Sequence, residues 1–318
     1  MGTIKRIILG DDGKLRPLWR ALAFVGTGTY VVPLAIGPPL AWLADRLGIG
    51  NELSPASISI GECATLLTAL GSTALFAWYE KRRVDDYGLP LRQAFRGRFW
   101  EGCALGAASA GLVALGMVAL HGMTVDGLAL HGIRILWAAL AWLGANLLIG
   151  LGEELWYRSY LLQTLWKSLG FWPAAAAIAL LFASDHYFYK QGENVWDVIT
   201  LVSLSIWICY SVLRTGTLWL AVGFHVAFDY MQLFVIGTKN GNLVPVDHLL
   251  NASFQGPAWI NGGVLGTEAS LLMYPVIALL FVYIWRRKYK QPSHHETIQP
   301  SLLGLGAREA NLAPPGSL

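Results

Sequence analysis

Residues 134–169 read RILWAALAWLGANLLIGLGEELWYRSYLLQTLWKSL, an apolar run interrupted well inside it by two adjacent acids, Glu153 and Glu154, and by Arg158. At ~1.5 Å rise per residue, the part that ends before Glu153 is already long enough to cross a hydrocarbon core of about 30 Å. No helix breaker follows until Gly170, so one long helix competes with a span that stops at Glu153. An ionisable group at the bilayer centre costs roughly 2.5–3.5 kcal/mol on insertion scales, and such groups face protein and usually have a task.

Seven further apolar segments flank this run, at about 18–44, 58–79, 100–120, 172–189, 197–213, 217–236 and 268–285, with the central one counted as 134–152. Hydrophobic residues make up 55% of the 318 and charged residues only 14%, where a soluble domain carries about a quarter charged. The mean hydropathy is +0.48. The expected fold is an all-α polytopic membrane bundle of about eight transmembrane helices. It divides into a cytoplasmic leader (1–17), a transmembrane domain (18–288, motif core 136–234) and a disordered cytoplasmic tail (289–318) rich in Pro, Gly and small polar residues.

Lysine and arginine are retained on the cytoplasmic side. Lys5, Arg6, Lys14, Arg16 and Arg20 precede the first span, six basic residues between Lys81 and Arg98 fill the second loop, and Arg286, Arg287, Lys288 and Lys290 follow the last. Eight spans put all three clusters on one face, with both termini in the cytoplasm of a multi-pass protein of the cell (inner) membrane. The net charge of +3 therefore reports topology and predicts no nucleic-acid partner. The first apolar run follows a charged leader and is too long for a signal-peptide core, so it reads as an uncleaved anchor. Cys63, Cys103 and Cys209 lie in three different segments without CxxC spacing and read as free, buried thiols.

Two more polar blocks interrupt apolar segments: His186 in FASDH and His225 with Asp229 in HVAFD. Residues four apart share a helix face and adjacent ones diverge by about 100°. Glu154 and Arg158 thus form an i,i+4 pair that supports a structural clamp, while Glu153 points elsewhere and needs hydration or a partner from another helix. Phe182 packs beside His186. Asp229 shares a face with His225 and is placed to set its tautomer. His225 lies ~13 Å and His186 ~21 Å from the cytoplasmic starts of their helices at ~1.5 Å per residue, so a shared cavity needs the central helix to continue past Glu153. Among weaker candidates, Glu62 sits near the outer end of the second segment, and Asn146 shares the Glu153 face, with interhelical hydrogen bonding its favoured role.

EExxxR, FxxxH and Hxxx(N/D), in this order on three transmembrane segments, resemble the intramembrane proteases named for CAAX proteases and bacteriocin processing, also called the ABI family. The match covers about Leu136 to Phe234; Trp19, Arg20 and the loop RVDDYGL are similar more loosely. The resemblance implies that Glu153 activates a water, that His186 is the second group holding it, and that Glu154 and Arg158 support the motif. It implies that His225 and residue 229 stabilise the oxyanion. Aspartate stands at 229 where the eukaryotic relatives have asparagine, and a carboxylate donates to an oxyanion only when protonated, so Asp229 is expected to orient His225.

The chemistry of the residues agrees. Peptide hydrolysis needs a base for water, an acid for the departing amine and donors near the oxyanion, and a glutamate desolvated in a membrane cavity suits alternating base and acid roles. Glu153, His186 and His225 are also a conceivable ligand set for one divalent metal such as zinc, although no HExxH spacing is present. The partners implied are the lipid bilayer and a membrane-associated peptide or protein substrate. Two other functions use the same residues: a proton-coupled membrane carrier, against which stands the absence of a visible inverted repeat, and a catalytically silent scaffold, which has no need of an unpaired Glu153.

Overall fold

The computed structural model describes residues 7–289 except 11 and 193, with residue 189 placed by its backbone alone. Eight helices follow the eight apolar segments: α1 (Pro17–Arg46), α2 (Pro55–Glu80), α3 (Gly97–Ala119), α4 (Ile133–Leu169), α5 (Phe171–Tyr189), α6 (Val195–Thr215), α7 (Trp219–Ile236) and α8 (Met273–Arg286). One antiparallel two-stranded sheet, β1 (Met123–Leu128) with β2 (Leu250–Phe254), pairs Met123 with Phe254. The chain is a multi-pass helical membrane bundle. Six of the helices are long and apolar enough to cross a bilayer. The other two fall short for visible reasons: α5 carries Ser184, Asp185 and His186 in its last turns, and α8 is only 14 residues because the stretch before it forms a 3-10 turn at Gly266–Ala269. The disordered tail expected at 289–318 lies, but for Tyr289, outside the described residues, as do His294 and His295. Cys63, Cys103 and Cys209 are free thiols.

The central run is one continuous helix of 37 residues, not a span that ends at Glu153. Its regular α-turns give way to π-turns at Leu155–Leu161, directly after the two acids. Such widened turns occur mostly as local insertions and often at functional sites. Trp156, on this widened stretch, packs against Gly28, which lies on a second π-turn at Thr27–Val31 of α1.

Close backbone crossings fix the helices around Glu153. Gly102 and Gly106, spaced as GxxxG on α3, press against the α7 backbone at Leu220, Phe224 and Phe228, and Gly223 of α7 presses back on Phe99 and Cys103. Small residues at such crossings let backbones approach where lipid supplies no hydrophobic drive. On α4, a Cβ at Gly150 would stand 2.7 Å from Val226 Cγ2, and one at Gly152 would stand 3.2 Å from the Leu66 amide nitrogen. The two glycines flanking Leu151 therefore bring α7 and α2 onto the turn that carries Glu153.

One end of the bundle is tied by Glu80 of α2. Its carboxylate accepts from Arg20 of α1 at 2.5 Å, Tyr160 of α4 at 2.8 Å and Tyr87 of the RVDDYGL loop at 3.1 Å. The same loop holds the start of α7, where the Leu218 amide donates to the Gly88 carbonyl and the Trp219 indole to that of Pro90. Trp219, although it begins its helix, is buried.

Candidate active site

α4, α5 and α7 deliver their polar groups to one cavity of about 1040 Å³, lined among others by Glu153, His186, His225 and Asp229. The cavity wall is mostly apolar, with Phe182, Leu204, Phe224 and Phe228 around the polar groups. Glu153 is the inward acid. Its Oε2 lies 3.6 Å from His225 Nε2, and that buried oxygen has no hydrogen-bond partner among the described residues. His225 of α7 thus stands at ion-pair distance from it, where its own helix offers no basic neighbour.

Glu154 and Arg158 stand behind this wall and are fully buried. Arg158 donates to Glu154 Oε1 at 3.2 Å and to Ser205 Oγ of α6 at 2.6 Å, and its guanidinium lies 4.6 Å from the centre of the Phe182 ring. The arginine thus holds α4, α5 and α6 together while neutralising the acid. A buried pair of this kind persists because removing either partner strands an uncompensated charge.

His225 joins the two layers. Its Nδ1 sits 2.9 Å from Glu154 Oε1, and its Nε2 faces Glu153 at 3.6 Å and Asp229 Oδ2 at 3.5 Å. A carboxylate only accepts, so Nδ1 carries the proton it donates to Glu154. The contact that fixes the ring tautomer therefore comes from Glu154, where the sequence suggested Asp229. Asp229 approaches the cavity-facing nitrogen instead. The i,i+4 rule could not find this, because Glu154 reaches His225 only through the close crossing of α4 and α7.

His186 lines the same cavity from α5. Its Nδ1 is 2.9 Å from the Phe182 carbonyl oxygen, and the two rings lie 4.4 Å apart between centres. A carbonyl only accepts, so the proton sits on Nδ1, and in the neutral ring Nε2 is the acceptor nitrogen. One residue earlier on α5, Asp185 accepts a 2.6 Å hydrogen bond from Tyr157 of α4, which fixes the two helices against each other at the cavity wall.

The cavity contains further polar residues that the motifs do not name. Glu62 of α2 lines it and interacts electrostatically with His225, Glu153 and Asp229; its Oε2 is buried without a hydrogen-bond partner among the described residues. The only signal in the sequence was a lone acid in an apolar segment. Glu268, from the turn before α8, accepts from Lys190 at 2.9 Å and from Gln232 at 3.1 Å, and all three line the cavity. Asn146 does not line it: fully buried, it donates to the Trp142 carbonyl one turn back on its own helix.

Residues 135–231 match a protein-family model described as Rce1-like, Type II CAAX prenyl endopeptidase Rce1-like. Over this stretch, under a third of the chain, the sequence is similar to that family. The matched segment contains all seven residues of the three motifs, Phe182 included. Comparison with curated proteins and with solved structures returns no match. Among the described residues no group of three or more His, Cys, Asp or Glu side chains is disposed to hold a metal ion. Glu153, His186 and His225 share a cavity without converging as a ligand set.

Proposed function

We propose that the chain is an intramembrane endopeptidase that hydrolyses peptide bonds of membrane-associated substrates, with Glu153 as the base for water. The observation that carries this reading is the buried Glu153 oxygen, which lacks a hydrogen-bond partner among the described residues and lies in a cavity shared with two imidazoles from other helices. A scaffold gains nothing from such a group, whereas a hydrolase needs one.

In the proposed reaction, a water held between Glu153 and His186 loses a proton to the Glu153 carboxylate as its oxygen bonds the scissile carbonyl carbon. The carbonyl oxygen becomes an oxyanion and accepts from Nε2–H of His225. Glu154, backed by Arg158, keeps Nδ1 protonated and the ring aimed, so the imidazole donates from a fixed position at no cost in reorganisation. When the C–N bond breaks, the proton on Glu153 passes to the departing amine and the carboxylate is restored. Asp229, near the same Nε2, favours the doubly protonated imidazolium.

The basic clusters support both termini in the cytoplasm. The test is cleavage of a membrane-peptide library by purified protein in lipid bilayers, comparing wild type with Glu153→Gln and repeating each with a chelator. Loss of cleavage in a folded Glu153→Gln protein supports the reading, and chelator response separates metal from metal-free chemistry. Cleavage that survives the substitution removes Glu153 from the mechanism. Proton flux in place of cleavage would favour the carrier.

A further inference from the structure

A second cavity, of about 620 Å³, opens at the end of the bundle where α3 begins and α8 ends, and is lined by Arg96, Arg98 and Arg287 with Trp100 and Glu101. It shares no lining residue with the cavity described above. Among the described residues Glu101 is the only acid that lines it, and its oxygens are already engaged. Oε2 accepts from Arg98 at 3.2 Å; Oε1 accepts from Tyr283 at 2.8 Å and Tyr289 at 3.0 Å, with Arg287 3.5 Å away. The Arg98 guanidinium also stacks 4.3 Å from the centre of the Tyr289 ring.

These contacts fix two arginines and leave most of their donors unspent, since a guanidinium carries five N–H groups. Arg96 forms no ion pair or side-chain hydrogen bond among the described residues and is exposed. Three guanidinium groups against one carboxylate leave a preorganised surplus of positive charge around a cavity. Its depth in a bilayer is marked by Trp100 and Trp285, 63% and 65% exposed, the residue type that collects at headgroup level. Beyond it toward the bilayer centre, exposed Leu279 and Val282 of α8 give acyl chains an apolar face.

We propose that this cavity binds the phosphate of an anionic phospholipid headgroup, with Arg96 and Arg287 as its outer donors and Glu101 as the residue that positions Arg98 and Arg287. Basic pockets between transmembrane helices hold anionic headgroups in this way. The same donors would suit a free phosphate; the aromatic pair and the apolar face below it favour the lipid.

The experiment is native mass spectrometry of the full chain from detergent micelles, titrated with phosphatidylglycerol, phosphatidylcholine or inorganic phosphate. One phosphatidylglycerol per chain is expected to be retained, in preference to phosphatidylcholine. Loss of one arginine is expected to weaken it about fivefold and loss of both, in Arg96→Gln/Arg287→Gln, about 30-fold, at about 1 kcal/mol per basic residue. Arg83→Gln, an exposed arginine in the 81–98 loop, is the control and should leave retention unchanged. Both substituted arginines are solvent-facing, and an unchanged melting temperature will show that the fold is intact. Equal retention of phosphatidylcholine, equal loss in Arg83→Gln, or displacement of the lipid by millimolar phosphate would each overturn the assignment, the last in favour of a free-anion site.

Discussion

Gly106→Ala tests whether the α3–α7 crossing sets the geometry at His225. A Cβ at residue 106 would stand 2.9 Å from the Phe228 amide nitrogen and 3.1 Å from the Phe224 carbonyl carbon. Ordinary contacts between carbon atoms lie near 3.5–4.0 Å, so α3 and α7 must part by about half an ångström or more. His225 sits between Phe224 and Phe228, and its Nδ1 is 2.9 Å from Glu154 Oε1. Adding half an ångström to that bond brings it to the limit of a useful hydrogen bond. Overpacking of this kind costs about 1–3 kcal/mol, and misplacing a catalytic group by ~1 Å costs about 100-fold in rate. The expected outcome is a lower melting temperature in detergent and a 10-fold or greater loss of cleavage. Gly111→Ala is the matched control on the same helix, since nothing lies within 4 Å of its added Cβ, and alanine's better helix propensity makes it neutral or stabilising. If Gly106→Ala matches Gly111→Ala in both stability and activity, the crossing does not position His225.

Removing one partner of the buried Glu154–Arg158 pair, in Arg158→Met, is expected to destabilise the bundle by about 3–5 kcal/mol, read as a fall in melting temperature; replacing both, Glu154→Leu/Arg158→Met, should recover much of it without restoring cleavage. Glu62→Gln is expected to leave the melting temperature near wild type and lower kcat at least several-fold, because Glu62 shares the cavity with His225 and Glu153; an unchanged pH–rate profile would make it a mere wall residue. Burial alone would raise the carboxyl of Glu268, but the Lys190 ammonium and its hydrogen bond more than offset this and hold it below its ordinary 4.5. A lowered value contributes stability above the unfolded value and loses it as pH falls through the folded one. Protection of the 237–267 loop against hydrogen exchange, taken relative to the intrinsic rate at each pH, should therefore fall as the pH drops below 4.5, and Glu268→Gln should lower it at neutral pH and remove the dependence.

The helices were legible because burial in lipid demands long apolar runs, and the sequence has eight of them. The three motifs were legible because charge inside such a run is expensive enough to be informative. What the sequence hid depended on distances between helices. Glu154 and Glu153 are neighbours in the chain, and helix geometry separates their faces, but nothing in the spacing says that α7 comes close enough for His225 to touch both. That closeness comes from Gly102, Gly106, Gly150 and Gly223, which in the sequence are ordinary glycines of apolar segments. Glu62 was hidden for a related reason: its role depends on Gly152 admitting the α2 backbone, and only then does a lone acid on α2 face the same cavity.

The continuity of α4 past Glu153 bears on how such a site is kept in a membrane. Glu153 is twenty residues from the start of α4 and sixteen from its end, or about 30 and 24 Å at ~1.5 Å per residue, so polar groups occupy the middle of a helix whose ends reach further out on both sides. The π-turns at Leu155–Leu161 follow at once, and two functions separate along this stretch. Glu153, Trp156 and Tyr157 line the cavity, while Glu154 and Arg158 do not. The hidden residues neutralise each other as an ion pair, whereas the cavity-facing Glu153 has no basic partner on its own helix and a buried oxygen without a hydrogen-bond partner among the described residues. Had the pair faced the cavity, Arg158 would have neutralised the acid proposed as the base; had Glu153 faced the core, its charge would have been too costly to keep. One helix with a local change of turn puts the two acids to opposite uses, and His225 connects them by taking Glu154 on one nitrogen and facing Glu153 with the other.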